Sequence, residues 1–418
     1  MDLTDRPLFT LDPHADPAEE TRRLHTLGPL VPVELPGGVA AWAATDLATA
    51  QRVLGHEDLT KNPAHWPALG DGRIPDDWEL IALVRGAAML HQGGDDHRRL
   101  RLLASSAFAR APIEALRPRI TAIADELLDA LGSLSQDEPI DLREHFAYPL
   151  PVRVICEVLG VPDTAVSELR DSFHRLVTPQ GSASGSGEAD IRLAMADIQR
   201  SLTALIAGKR EDPGDDLTTA LIQARDHGDR LTEQELVETL FLVLIAGHET
   251  TINLITNTVH ELLRNPITVA AVRDGAHTWA DVVDEGLRFS SPVRHALMRY
   301  AVKDTEIAGV RVAQGDPVVA SLFAAGRDPG HHENADSFDI GRSTRRDHAA
   351  FGHGAHYCLG ARLAKIEAEI ALAALFGQYP DLAAASAPDP LASIPLQGFT
   401  SLPVHLHTRE RPPSRRTP

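Results

Sequence analysis

Phe351-Gly352-His353-Gly354-Ala355-His356-Tyr357-Cys358-Leu359-Gly360 is a glycine-rich segment that delivers one cysteine to the start of a helix. The helix is predicted because Ala361 to Gly377 is rich in Ala, Leu and Glu and contains no Pro. A helix N-terminus offers unpaired N–H donors and the positive end of a macrodipole, so a thiolate is stabilised there. Glycines at 352, 354 and 360 permit positive φ and let the backbone approach something flat or bulky. An anionic sulfur beside such a wall suggests an iron ligand.

The segment resembles the heme-binding loop of the cytochrome P-450 superfamily, Phe-Gly-x-Gly-x-His-x-Cys-x-Gly, and matches it at every fixed position. The resemblance implies that Cys358 is the proximal ligand of heme b iron, and that Phe351, His356 and Gly360 lie against the heme. Two other readings exist for the cysteine. It could be buried and unreactive, or it could join His353 and His356 on zinc, although a closed zinc site needs a fourth ligand and no second cluster stands nearby.

The 418 residues carry a net charge of −19, which argues against nucleic-acid binding. Hydrophobic residues make up 43%, enough for a sizeable core. Two cysteines, Cys156 and Cys358, are too few for a disulfide framework and suit a reducing cytoplasm. Met1 to Pro13 has neither an apolar core nor a basic flank, so no signal peptide or membrane anchor is expected. The apolar run Leu240 to Gly247 meets His248 and Glu249 well short of the roughly 20 residues a membrane span needs.

Upstream, Gly28 to Ala43 reads as a hairpin, and Asn62 to Gly86 as a long loop of a length that tends to mark function. Asp95 and Asp96 open a helix that carries His97 and Arg101 on one face. Pro112 to Leu134 and Val152 to Leu159 read as helices with Cys156 in the core, and the Gly/Ser cluster from Pro179 to Gly187 as a mobile connection. Thr232-Glu233-Gln234-Glu235 is a capping box opening a helix that runs to Arg264, for about 50 Å at 1.5 Å per residue. Near its middle, Ala246-Gly247-His248-Glu249-Thr250-Thr251 sets small residues beside an acid and hydroxyls, a poor choice for plain core packing. Thr278 caps a further helix holding Glu285 and Arg288 three apart. Ile307–Val310 and Asp316–Ala320 read as strands of a second small sheet, and 409–418 as a disordered basic tail.

Under the same resemblance these features acquire roles. His97, Arg101, Arg299 and His356 would meet the two heme propionates, buried anions that need charged partners. Ala246 and Gly247 would lie over the heme. Glu249 and Thr250 would form the acid–alcohol pair of oxygen activation, Thr250 holding water near the reacting oxygen and Glu249 relaying protons. The alternative for this pair is a hydroxyl bonded back to the carbonyl one turn earlier and a carboxylate paired with a base. Glu285, Arg288 and Arg342 would be structural, tying helix to meander, and the cluster at 179–187 would be the lid.

The expected fold is mainly α: one domain over 1–408, with heme between the long helix and the cysteine-bearing helix, and two small β-sheets. The implied function is a heme-thiolate monooxygenase using dioxygen and electrons from NAD(P)H through ferredoxin reductase and ferredoxin, in the cytoplasm. Arg342, Arg345, Arg346, Arg362 and Lys365 would offer an acidic ferredoxin a basic face. A non-oxygenase heme protein (a ligand sensor or a binder of carrier-linked substrate) and a peroxide-driven oxygenase are the alternatives, and the intact Glu249–Thr250 pair disfavours both. The pocket is expected from Val243, Val293, Arg294, Ala296, Leu297, Leu396 and Phe399. Arg294 and His295 suggest an oxygen-bearing substrate such as a macrolide, polyketide or terpenoid.

Overall fold

A computed structural model describes residues 3, 6–86, 88–105, 108–134, 138–162, 164–166, 169, 171–172, 175, 186–224 and 231–406. The tail 409–418 and most of the cluster 179–187 lie outside them. Within 186–191 and at residue 224 only the backbone is described.

The helix Glu233–Arg264 is the axis of the molecule. Its capping box closes as the sequence pattern requires: the Thr232 N–H donates to Glu235 Oε2 at 2.7 Å, and the Glu235 N–H to Thr232 Oγ1 at 3.1 Å. From Thr251 to Val259 every residue is buried. By length and composition this helix could cross a membrane, yet its apolar surface is spent on protein. It packs against Pro149–Leu159, against Trp279–Phe289 and against the cysteine-side helix Ala361–Gln378. Val154, Ile155, Leu244, Leu254, Leu287 and Leu372 all belong to the resulting helical core.

Pro112 to Leu134 is not one helix. It divides into Arg110–Ala115 and Arg117–Gly132, with the break at Leu116. Pro118 lacks an N–H donor, so it is tolerated only in the first turn of a new helix.

The β structure is more extensive than two small sheets. A six-stranded sheet runs in the order Phe9–Thr10, Leu30–Leu35, Val39–Ala44, Pro317–Ser321, His295–Ala301, Leu59–Thr60, and three sheets of two or three strands accompany it among the described residues. The hairpin Leu30–Leu35/Val39–Ala44 turns on Gly37 and Gly38, both at positive φ. Pro317–Ser321 does not pair with the Ile307 segment; it lies parallel to Val39–Ala44, while Thr305–Ile307 and Val310–Val312 form their own hairpin. Strand propensity marks such segments but not their partners.

Residues 62–86 are a packed segment rather than an open loop. Trp66 stacks on Tyr300 at 5.4 Å between ring centroids, and Trp78 Nε1 donates to the Pro36 carbonyl at 2.8 Å. Both indoles join the core cluster of the six-stranded sheet, with Leu297 and Ile394.

Candidate functional site

The cysteine segment is shaped by two glycines. Gly352 and Gly354 sit at φ 76° and 71°, where a side chain would be strained. Gly354 also faces Gly55 so closely that a Cβ would lie 3.1 Å from its Cα. Gly360 differs from expectation: its φ is −80°, and it serves as the N-cap of Ala361–Gln378. A Cβ there would approach Cys358 Sγ at 3.9 Å, so the residue keeps one side of the sulfur open.

Cys358 stands just before the helix, not within its first turn. Its side chain has free surface, yet the surrounding protein is close enough that burial pushes the thiol up; the backbone N–H groups of Gly360 and Ala361 and the charge of Arg101 act against that rise. The helix terminus therefore does not make a free thiolate by itself. A bound cation would, because a coordinated thiol is deprotonated outright. Cys156, by contrast, is sealed in the core, its thiol pushed up to about 12 by burial.

Around the loop the structure gathers basic groups, two of them imidazoles kept neutral by burial. The His97 and His356 rings lie 3.9 Å apart, and an Arg101 Nη donates to the Tyr357 carbonyl at 2.6 Å. Arg299 is buried, and burial lowers its pKa to about 10. Burial, then His97, Arg299, Lys61 and Arg101 in turn, hold the His356 imidazole down at about 2. Lys61 was not anticipated. No carboxylate is paired with any of these five among the described residues, so they form a cradle for anions in a strongly acidic protein.

The long-helix motif is partly open. Ala246 is exposed and Thr250 half-buried, although the following turns are sealed. Thr250 Oγ1 donates to the Ala246 carbonyl at 3.0 Å, one turn back. Gly247 serves packing: a Cβ there would lie 2.8 Å from Ile155 Cδ1 on the neighbouring helix. Glu249 is nearly buried, and its Oε1 accepts from Arg143 at 3.0 Å and from Asn253 Nδ2 at 3.3 Å. Neither Arg143 nor Asn253 was singled out in the sequence; Arg143 arrives from more than 100 positions away, in the turn Arg143–Ala147. His248 is buried with Nδ1 2.7 Å from the Leu244 carbonyl, and burial lowers its pKa.

The residues expected to form the pocket wall differ in their surroundings. Val243 and Leu297 are buried, Ala296 is half-buried, and Val293 bridges to Leu396. Arg294 does not belong to this wall. Its guanidinium is buried against Glu20 at 2.8 Å and bonds the Asp12 and Ser393 carbonyls, and His295 lies 3.4 Å from the same carboxylate. A buried arginine needs its counter-ion, and Glu20 supplies it, so the polarity read as a substrate signal is structural. Phe399 is likewise committed elsewhere: its ring meets His260 at 4.9 Å, ten positions beyond Thr250 and thus about 15 Å along the helix.

Glu285 and Arg288 are fully buried and doubly joined, with Arg288 Nε 2.8 Å from Oε2 and Nη2 2.6 Å from Oε1. Arg342 lies 3.5 Å from the same Glu285 oxygen. The residues of the basic face carry internal ion pairs: Arg345 pairs with Asp281, Arg346 and Lys365 with Asp284, and Arg362 with Glu114, while the Arg346 side chain stays 67% exposed. These charges hold the segment before the cysteine loop to its neighbouring helices.

Similarity to known proteins extends over nearly the whole chain. The family described as Cytochrome P450 matches residues 191–279 and 279–382. The 2-hydroxy-5-methyl-1-naphthoate 7-hydroxylase of Streptomyces carzinostaticus is 41% identical over 407 residues, covering 96% of this chain and 98% of that protein. The 6-deoxyerythronolide B hydroxylase of Saccharopolyspora erythraea is 35% identical over 410 residues, covering 94% and 96%. The structure of CYP154A1 from Streptomyces coelicolor superposes with a TM-score of 0.85 at 42% identity, covering 96% of this chain and all of that one. With a cysteine loop, an anion cradle and relatives that span it from end to end, the chain belongs to the cytochrome P450 family of heme-thiolate monooxygenases.

Proposed function

We propose that the protein hydroxylates or epoxidises a polycyclic aromatic or polyketide-derived secondary metabolite, using heme b held by Cys358. The observation that carries this is the joining of a lone, partly accessible thiol to a cationic cradle without carboxylates. Iron protoporphyrin IX presents the matching needs, an axial sulfur and two carboxylates. The substrate class rests on relatives that act on a naphthoate and on 6-deoxyerythronolide B. Ferredoxin and its reductase are the proposed electron donors, in the cytoplasm.

When bound, the heme supplies dioxygen reduction and oxygen insertion. The chain's part is to place substrate and to move protons. Val243, Val293, Ala296, Leu297 and Leu396 give the pocket an apolar wall. Thr250 has only to exchange its bond to the Ala246 carbonyl for one to water, a change of rotamer rather than of backbone. Arg143 and Asn253 hold Glu249 one position away through Oε1, which leaves Oε2, without a partner among the described residues, to take up and pass on a proton.

Turnover under heavy-isotope-labelled dioxygen, with a ferredoxin and reductase, is expected to place one labelled oxygen in the product. Label arriving from water instead would overturn the assignment. Thr250→Ala is expected to keep the heme spectrum while product formed per NADPH consumed falls about tenfold or more, since a positioned proton donor contributes about 10²–10⁴. The electrons then appear as free hydrogen peroxide; unchanged coupling would remove Thr250 from the proton path.

A further inference from the structure

Lys61 follows the short strand Leu59–Thr60, which pairs antiparallel with His295–Ala301 through Leu59↔Ala301 and Thr60↔Tyr300. One more step of that register sets Lys61 opposite Arg299. Like charges directly opposite on paired strands are destabilising, and here both are buried. The Lys61 ammonium donates to the Leu297 carbonyl, and the Arg299 guanidinium has no hydrogen bond or ion pair among the described residues. Burial and Arg299 lower the Lys61 amine to about 7. His91, a further basic group that feels the Lys61 charge, is itself lowered by burial and by Lys61. Burying two cations face to face is unfavourable unless an anion joins them.

We propose that Lys61 is a further cation of the cradle, binding a heme propionate together with Arg299. The inference rests on the heme reading above. A structural lysine would need only to satisfy the Leu297 carbonyl, which a neutral donor can do; it would not need the facing, unpaired Arg299. An ammonium and a guanidinium converging on one carboxylate make charge-assisted bonds, which are stronger than neutral ones.

The test is the rate at which holoenzyme loses heme to excess apomyoglobin. Lys61→Gln keeps a donor for the Leu297 carbonyl and removes the charge; release is expected to rise about tenfold, the equivalent of one lost charge-assisted bond. Lys61→Arg restores a cation and is expected to return release to within about twofold of wild type. Heme dimethyl ester, whose propionates carry no charge, should leave reconstituted wild type and reconstituted Lys61→Gln protein at the same rate. A wild-type release rate in Lys61→Gln overturns the proposal, as does an undiminished difference with the ester. Unchanged heme release combined with weakened binding of 2-naphthoate relative to 2-naphthol would assign the lysine to substrate instead. Should Lys61→Gln fail to fold, Lys61→Met takes its place, with the same faster release of heme and the same equal release of the ester expected; a wild-type release of heme from it overturns the proposal. Absence of heme from the wild type would instead defeat the underlying reading.

Discussion

Cys358→Ala is expected to eliminate the strongly red-shifted Soret band of the reduced carbon monoxide complex and to lower monooxygenase turnover by more than about a hundredfold. Removing only a residue that orients a metal ligand typically costs about 10- to 100-fold, so losing the ligand itself costs more. The variant should still fold. The Cys358 N–H donates to the Phe351 carbonyl at 2.9 Å, and the Arg101 anchor is the Tyr357 carbonyl, so neither bond uses the sulfur. The cradle of His97, Arg101, Arg299 and His356 would also survive, leaving a site that can still take up heme weakly. Absorption spectra of wild type and variant, reduced under carbon monoxide, decide the point. A red-shifted band retained without the cysteine would return Cys358 to the role of an inert thiol.

What the sequence disclosed was local, and what it concealed was long-range. The cysteine loop is legible because ten consecutive residues carry its chemistry, and the capping boxes at Thr232 and Thr278 because their partners stand three positions away. Lys61 could not be recognised in Thr60-Lys61-Asn62-Pro63, since its burial depends on a strand more than 230 positions later. Glu20 likewise gives no sign of being the counter-ion of Arg294, 274 positions away. Without that partner, Arg294 between Val293 and the strand His295–Ala301 reads as a polar spot in the pocket. The ion pairs of Arg345, Arg346 and Arg362 were hidden for the same reason: their carboxylates, Asp281, Asp284 and Glu114, lie on other elements. Gly247 shows a subtler limit. Its smallness was evident, but the close approach of Ile155 to it follows only from the packing of two helices.

Arg288→Ala should sharply lower the stability, and with it the urea midpoint, of the folded, heme-loaded protein. The guanidinium bonds Glu285 twice and the carbonyls of Gly326, Ala335 and Ser337 once each, from a position with no solvent exposure. Deleting it takes two bonds from a fully buried carboxylate and the guanidinium donor from the Gly326 and Ala335 carbonyls, while the Ser337 carbonyl keeps Arg342 at 3.1 Å. Removal of one partner from a buried pair costs about 3–5 kcal/mol, against a total stability of about 5–15 kcal/mol for a typical protein. Glu285 would retain Arg342 at 3.5 Å and the Asp339 N–H at 2.9 Å, so the loss should fall near the lower end of that range. Lysine is a poor substitute, because one ammonium cannot reach both Glu285 oxygens and three carbonyls. Arg288→Lys should therefore lower the urea midpoint almost as far as alanine does, whereas exposed pairs such as Arg311–Asp304 should cost under about 1 kcal/mol when broken. Urea titrations of the three variants, read by Soret absorbance and by far-ultraviolet circular dichroism, test the ranking. A wild-type midpoint in Arg288→Ala would mean that the buried pair contributes nothing to holding the cysteine loop beneath the long helix.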